Sequence, residues 1–436
     1  MTRHDWMGFS RTAVAMAVTA AAVTLSAPAL AQNTTAAING QITGADGKPV
    51  AGATVTILHV ASGSSNTATT DAEGRYAARG LRAGGPYTIT VSKGGLVDKR
   101  EGVTLALAEA LNLDAQLGAA TQTVTVTGRS GAERFNKSNM GAGTSINSRE
   151  LAAFASVQRN LQDVARTDPR LTQTDKGNGS ISAAGQNNRF NSITIDGVTT
   201  SDTFGLESNN LPTKKQPISI DAIQSVQVNL SNYDVTQKGY TGANINAVTK
   251  SGTNDFKGSV YYVWRNQDMV GQFYNRTADS YSNYAPFKDT TQGFTLGGPI
   301  IPDRLFFFGG YEEYKSSKAG AAFGPAGSGL PNVGISQSAI DSAITIGRST
   351  WGMDLGTSTA PSNLALSVKD TLLKLDWNIS DSHRANVRYS KTEQSDPVIT
   401  TLFGPTQLSL SSYWYVTDKT LETLVGQWFE IGRAHV

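Results

Sequence analysis

Residues 373–390 read LKLDWNISDSHRANVRYS. On an extended chain Leu373, Leu375, Trp377 and Ile379 share one face, and Lys374, Asp376 and Asn378 take the other. Beyond Ser380–Ser382 the alternation resumes, with Ala385, Val387 and Tyr389 opposing Arg384, Asn386, Arg388 and Ser390. Two period-two runs joined by a short polar turn predict an antiparallel hairpin. A charge on the lipid face near mid-bilayer would cost ~2–4 kcal/mol, so a membrane-crossing strand must segregate its charges in this way. A soluble antiparallel sheet with one wet face alternates identically, and periodicity does not separate the two.

Loop lengths do. Strands are expected near 256–265, 290–298, 305–314, 370–379, 383–392 and 411–428, the first carrying Val260, Tyr262 and Trp264 on one face. The connections run long, short, long, short, long, with Pro299–Arg304 and Ser380–Ser382 the tight ones. Short turns alternating with long loops mark a transmembrane β-barrel. Phe306 and Phe308 are expected in its outward aromatic region. A barrel that encloses a plug takes ~22 strands. Six strands would leave edge groups unsatisfied in lipid. The expectation is therefore the first ~6 strands of an incomplete barrel over 255–429, in a chain truncated at its C-terminus. Residues 430–436, EIGRAHV, match the translation of a sequencing adapter and read as an artefact.

Composition agrees with a β-rich chain. Charged residues are 17% and glycines 44 of 436, against ~25% and ~7% in ordinary soluble domains. Low charge without apolar excess argues against a helical membrane protein. The net charge of +2 comes without any long basic run, so no nucleic-acid partner is expected. Cysteine is absent, and His4, His59, His383 and His435 are scattered. No metal site, cofactor or catalytic residue is expected, and no G-x-S-x-G occurs.

The N-terminus reads as a cleaved export signal over 1–31. Arg3, His4 and Arg11 precede the apolar stretch Thr12–Leu25, and Ala29-Leu30-Ala31 stands before Gln32. No other segment is apolar enough for a transmembrane helix, so any span must be β. Residues 37–118 carry short alternating runs, such as Ala53–Ile57 and Tyr87–Val91, split by turns at Asp46-Gly47 and Asp71–Gly74. This spacing predicts an Ig-like or prealbumin-like β-sandwich. Asp46 and Asp71 could suggest calcium, but they sit where turns need Asp. Thr121–Gly128, TQTVTVTG, is extended; it is either the sandwich's last strand or a segment for strand addition to a partner's sheet.

Ile42–Val55 and Thr70–Tyr76 resemble the carboxypeptidase regulatory-like domain, a carbohydrate-binding-like fold. A sugar-binding role is an analogy of fold only. Thr123, Val124, Thr125, Val126 and Thr127, within a linker over 119–145, look like a TonB box. Arg159–Val164, Ile195-Asp196-Gly197, Ile220–Val228 and above all Gly242–Asn254 resemble the plug domain of TonB-dependent outer-membrane receptors, here over 146–254. Gly297–Phe308 again resembles the Oar-like group of that family, as does the order sandwich, box, plug. The resemblance implies a mainly β protein with an α+β plug domain. It also implies a cell outer membrane location, with sandwich and box on the periplasmic side. The implied partners are TonB with its inner-membrane energising complex, outer-membrane lipid and an unknown extracellular solute. The implied function is energised uptake of a scarce siderophore, glycan or peptide; the alternative is an Oar-like role in protein export, adhesion or surface structure. Plug-loop residues Asn187, Asn188, Arg189, Asn209 and Asn210 are candidates for the solute, or else turn and solvent residues.

Overall fold

The computed structural model describes residues 34–430 apart from 106, 108–109, 119–123, 126–140, 155, 157–158, 176–178, 203, 205–206, 233–238, 277–278, 285, 319–323, 328–331, 360–363 and 400–408. The expected signal, the box residues Thr123, Val126 and Thr127, and residues 431–436 lie outside the described residues.

Eight strands build the sandwich: β1 (Thr35–Gly44), β2 (Thr54–His59), β3 (Ser64–Thr69), β4 (Arg75–Arg82), β5 (Gly84–Lys93), β6 (Leu96–Leu105), β7 (Ala110–Asn112) and β8 (Ala115–Leu117). One sheet is ordered β4-β1-β7 with β8 also on β1; the other runs β3-β2-β5-β6-β9, where β9 is Val124–Thr125. Every second residue of β2 and β5 is buried, so Val55, Ile57, Ile89 and Val91 meet Ile38 and Ile42 of the facing sheet. Each such side chain contributes about 1.5–3 kcal/mol on burial. Asp46 and Asp71 are turn residues: Asp46 accepts from Lys48 N, and Asp71 from Glu73 N and Arg75 N.

The plug is α+β. Its sheet is ordered β10-β15-β16-β13-β14, from β10 (Gly141–Asn147), β13 (Ser192–Ile195), β14 (Val198–Thr199), β15 (Ile223–Asn232) and β16 (Asn244–Thr249). A side hairpin is formed by β11 (Leu171–Asp175) and β12 (Ser180–Ala183). Two short helices, α1 (Ser148–Ala153) and α2 (Leu161–Ala165), start at asparagines whose side chains cap free backbone N–H groups. Asn147 and Glu150 form a reciprocal capping box, and Asn160 accepts from Asp163 N. Leu161, Val164, Ile193, Val226 and Ile245 are among the residues that pack into the core.

After Asn254 the chain forms one antiparallel sheet in sequential order. Its strands are β17 (Lys257–Asn266), β20 (Phe287–Ile301), β21 (Leu305–Lys318), β24 (Ala365–Asn378), β25 (His383–Val398) and β26 (Tyr415–Glu430). The small pairs β18 (Phe273–Asn275) with β19 (Ser280–Ser282) and β22 (Gly324–Ala326) with β23 (Asn332–Ser336) lie in the long connections, as does helix α3 (Gln337–Trp351). Pro302–Arg304 and Ile379–Ser382 are the tight turns.

The sheet's two faces decide what alternation alone left open. Val260, Trp264, Phe294, Leu373, Leu375, Trp377 and Val387 are exposed, while Lys374, Asp376, Arg384, Asn386 and Arg388, on the opposite face, are buried. This is the polarity of a membrane wall and the reverse of a soluble sheet. One expectation is corrected. Phe306 and Phe308 face inward, Phe306 being 0% exposed, and Phe308 joins the plug core. The reason is register: Phe306 pairs with Asp376 and Phe308 with Lys374, and paired residues share a face. The lumen-facing charges therefore carry both rings inward.

Candidate functional site

The contact surface between plug and wall is built from side chains that a single β periodicity brings to one face. Asp196 is its centre. The Asp196-Gly197 turn joins β13 to β14 in a two-residue hairpin, with Asp196 at φ +49° and Gly197 at φ +78°. Positive φ at both positions is what such a turn requires, and Asp-Gly supplies it. The buried Asp196 carboxylate accepts from Thr249 N and Thr249 Oγ1, each at 2.8 Å, and from Arg388 Nη1 of β25 at 2.7 Å. Its carbonyl accepts from Gln427 Nε2 of β26 at 3.1 Å. Lys374 Nζ donates to Thr249 Oγ1 at 2.9 Å. The end of the last plug strand and the Asp196 turn bonded to it thus reach three neighbouring wall strands. Removing either partner of a buried ion pair strands the other charge, which makes this contact specific rather than merely adhesive.

Two further clusters lie along the same wall. Ser219 Oγ and Tyr261 OH both donate to Glu312 Oε2, at 2.8 and 2.7 Å, while Arg159 pairs with Asp221 and stacks 4.6 Å over the Tyr261 ring. Lys214 donates through its backbone N to Gln394 Oε1 at 2.7 Å and through Nζ to Asp396 at 3.0 Å, and Lys419 pairs with Glu207. Beside them the Lys215 ammonium sits 4.1 Å over the Tyr314 ring, and burial pushes it down to about 8. Within the plug, burial works against the Asp168 charge, but bonds from Arg170 and Thr144 outweigh it and hold the carboxyl below its usual range.

Where the chain leaves the plug, five residues beyond Thr249, Asn254 clamps the β20–β21 turn. It accepts from Asp303 N at 2.8 Å and donates to Asp303 Oδ1 at 2.7 Å. Gly252 allows the approach, since a Cβ there would lie 2.3 Å from the Phe307 carbonyl oxygen and 2.8 Å from that of Gly298. This gives a physical role to the Ser251–Asn254 stretch of the plug-end motif.

The candidate solute residues divide. Asn209 and Asn210 are buried. Asn209 Nδ2 donates to Thr213 O and its Oδ1 accepts from Leu211 N, while Asn210 Nδ2 donates to Asn191 O. Both amides are bonded within the plug. Asn187 and Arg189 are exposed, Asn187 Oδ1 accepting from Arg189 N, and Asn188 Nδ2 donates to Ser208 O. The structure therefore brings the two loops together at the end of the plug remote from Thr249. Of the segment expected as a box, Val124 and Thr125 pair in parallel with Arg100 and Glu101 of β6. Asp196, Thr249, Lys374 and Arg388 were not singled out from sequence as a site. Their signal was the charged face of 373–390 together with the Asp-Gly turn. Among the described residues no three His, Asp or Glu side chains gather as metal ligands.

Comparison with known proteins agrees with this architecture. Residues 37–118 match the carboxypeptidase regulatory-like domain, and residues 248–326 match an outer membrane beta barrel domain. Over 310 residues, 67% of the chain, the sequence is 28% identical to the TonB-dependent transporter Oar of Myxococcus xanthus, and the match spans 28% of that relative's length. Among solved structures, the outer membrane transporter YddB from Escherichia coli aligns with 66% of this chain and 36% of its own, at 14% identity and a TM-score of 0.47. The siderophore receptor PirA from Acinetobacter baumannii aligns with 59% and 32%, at 18% identity and a TM-score of 0.38. The resemblance read from the motifs is borne out by the domain matches and the curated relative. The chain is a mainly β protein of the Gram-negative outer membrane, and its curated relative is a transporter.

Proposed function

We propose that this chain serves a TonB-dependent outer-membrane receptor that takes up a scarce extracellular solute by energised transport, and that it carries no catalysis. The observation that supports this most is the bonding of Asp196 and Thr249 to Arg388 and Lys374. A stopper held by directional polar bonds seals a lumen, yet water can replace those bonds once the stopper shifts, because the net worth of each is small. A greasy contact would have no such exchange partner.

The plug sheet also suggests how a pull would act. β10 is its edge strand, and Gly141, paired with Asn232, lies at the end of the sheet opposite Thr249. Tension arriving from the linker would load the Gly141 end first and open the β10–β15 ladder pair by pair, which needs less force than shearing all pairs at once. The solute would meet the plug where Asn187–Arg189 adjoins Ser208, and TonB would add to the Thr123–Thr127 segment as a strand.

The test is accumulation of labelled ferric siderophores, oligosaccharides and peptides in strains with and without TonB. Val124→Pro removes one backbone donor from the box. Accumulation of a transported solute should fall at least tenfold, to the level without TonB, with binding at the cell surface unchanged. Equal accumulation with and without TonB for every solute class would refute uptake and favour the export, adhesion or surface-structure role.

A further inference from the structure

The sandwich does not hang free of the plug and wall. Arg82, at the end of β4, enters the lumen side of the wall and donates to Asp376 Oδ1 at 3.3 Å and to Asn378 Oδ1 at 3.0 Å. Asp376 is buried, to 2% side-chain exposure, and Arg82 is 10% exposed. The turn after β2 makes a second contact: the carbonyl of Ala61 accepts from Asn254 N at 2.9 Å, and Gly63 lies against the Asp303 carboxylate. A third is Gly84 beside the Gln224 side chain of the plug. Between the three bodies lies a cavity of about 440 Å³ lined by His59, Arg82, Lys250, Asp376 and Arg384, among others. The sandwich therefore contacts the same two features that anchor the plug's end, the Asn254–Asp303 clasp and the inward face of β24.

We propose that the N-terminal sandwich is a removable floor. It docks on the periplasmic rim of this chain's own wall through Arg82 and the Val60–Gly63 turn, covers the last plug segment at rest, and leaves when TonB draws on the adjoining box. The release step rests on the transport reading above; the docking does not. Three observations carry it. A charge as deeply buried as Asp376 needs a partner, and Arg82 from the sandwich pairs with it alongside Lys374 and Arg384 of the wall itself. The floor touches Asn254, the residue that pins the plug exit to the β20–β21 turn. The box residues Val124 and Thr125 pair with β6, the sandwich's own strand, so a pull on the box reaches the sandwich as well as the plug.

The chain has no cysteine, so engineered pairs report cleanly. The Ala61–Asn254 backbone bond brings those residues near the ~4.4–6.8 Å Cα separation of a disulfide. Ala61→Cys with Asn254→Cys is the first pair, and Gly63→Cys with Asp303→Cys is the second, which keeps the bond from Asp303 N to Asn254 Oδ1. In outer membranes of cells lacking TonB, at least one pair should cross-link under mild oxidation. In energised cells with TonB its yield should fall at least threefold. Arg82→Glu should lower the yield about tenfold without TonB, and combining Arg82→Asp with Asp376→Arg should restore it. No cross-link from either pair overturns the docking, and equal yield with and without TonB overturns the release. A cross-link from Thr123→Cys to a cysteine-bearing TonB is scored in the same cells. If it forms while the sandwich yield stays constant, the floor fails and the transport reading survives. If it does not form, the transport reading fails and the release step with it, while docking is still read from the TonB-free yield.

Discussion

The sandwich strand β2 and the wall strand β24 follow the same rule and reach opposite outcomes. In β2 the apolar Val55 and Ile57 are buried and the threonines between them half-exposed. In β24 Lys374 and Asp376 are buried, and Leu373, 55% exposed, and Leu375 point away from the plug. Alternation states only that two faces differ. Which face turns inward depends on what lies behind it. Behind β2 is a second apolar sheet, and burial drives Ile57 toward it. Behind β24 lie plug and sandwich groups, Thr249 for Lys374 and Arg82 for Asp376, so the charges find partners there and the leucines are left for lipid.

That contrast can be broken most severely at its polar centre. Asp196→Ala should strand the buried Arg388 and destabilise the plug by about 3–5 kcal/mol. Hydrogen exchange at the Ile245–Thr249 amides should accelerate accordingly. A paired Asp196→Leu and Arg388→Met replacement should recover most of the loss. A loss equal to that of the single variant would show that the bonds from Thr249, rather than the ion pair, carry the contact.

The next effect belongs to the sandwich. Ile57→Ala should cost about 2–5 kcal/mol, because the site is closed on both sides and leaves a cavity. Protease resistance of residues 34–118 in the whole chain should drop, with the wall unaffected.

The comparison is sharpest at Leu373, which tests the lipid assignment directly. Leu373→Arg should cost about 2–4 kcal/mol in urea titrations of lipid-inserted protein. On a soluble sheet the same exposed change would stay within about 0.5 kcal/mol.

The gentlest probe is pH. Burial pushes the His59 imidazole down to about 3, with Arg82 and Arg384 adding to the effect. The folded state thus holds His59 neutral while the unfolded chain protonates near 6.5. Stability from this residue is complete above pH 6.5 and is lost progressively as pH falls toward 3. The unfolding midpoint of the sandwich should follow, and His59→Gln should flatten the curve through that window.

Much of this molecule was legible from local pattern. All six wall strands and both tight turns were expected near their observed positions, since period two and turn residues act over a few positions. Two cases show where legibility stops. Phe306 and Phe308 looked like a membrane-facing aromatic pair, yet cross-strand register with Asp376 and Lys374 turns them inward. Asn209 and Asn210 read as solute candidates or else turn residues, and in the fold their side chains bond to Thr213, Leu211 and Asn191. An asparagine's chemistry is the same in both settings, and only the surrounding backbone decides which it serves.

Strand positions, turns, caps and the sorting of charge onto one face follow from the residues in order, because each depends on steric and hydrogen-bonding preferences between near neighbours. The direction that sorted face takes, and the partner of each charge on it, depend on packing. Arg388 and Asp196 meet across 192 residues of chain, and no short-range preference in either segment records that distance.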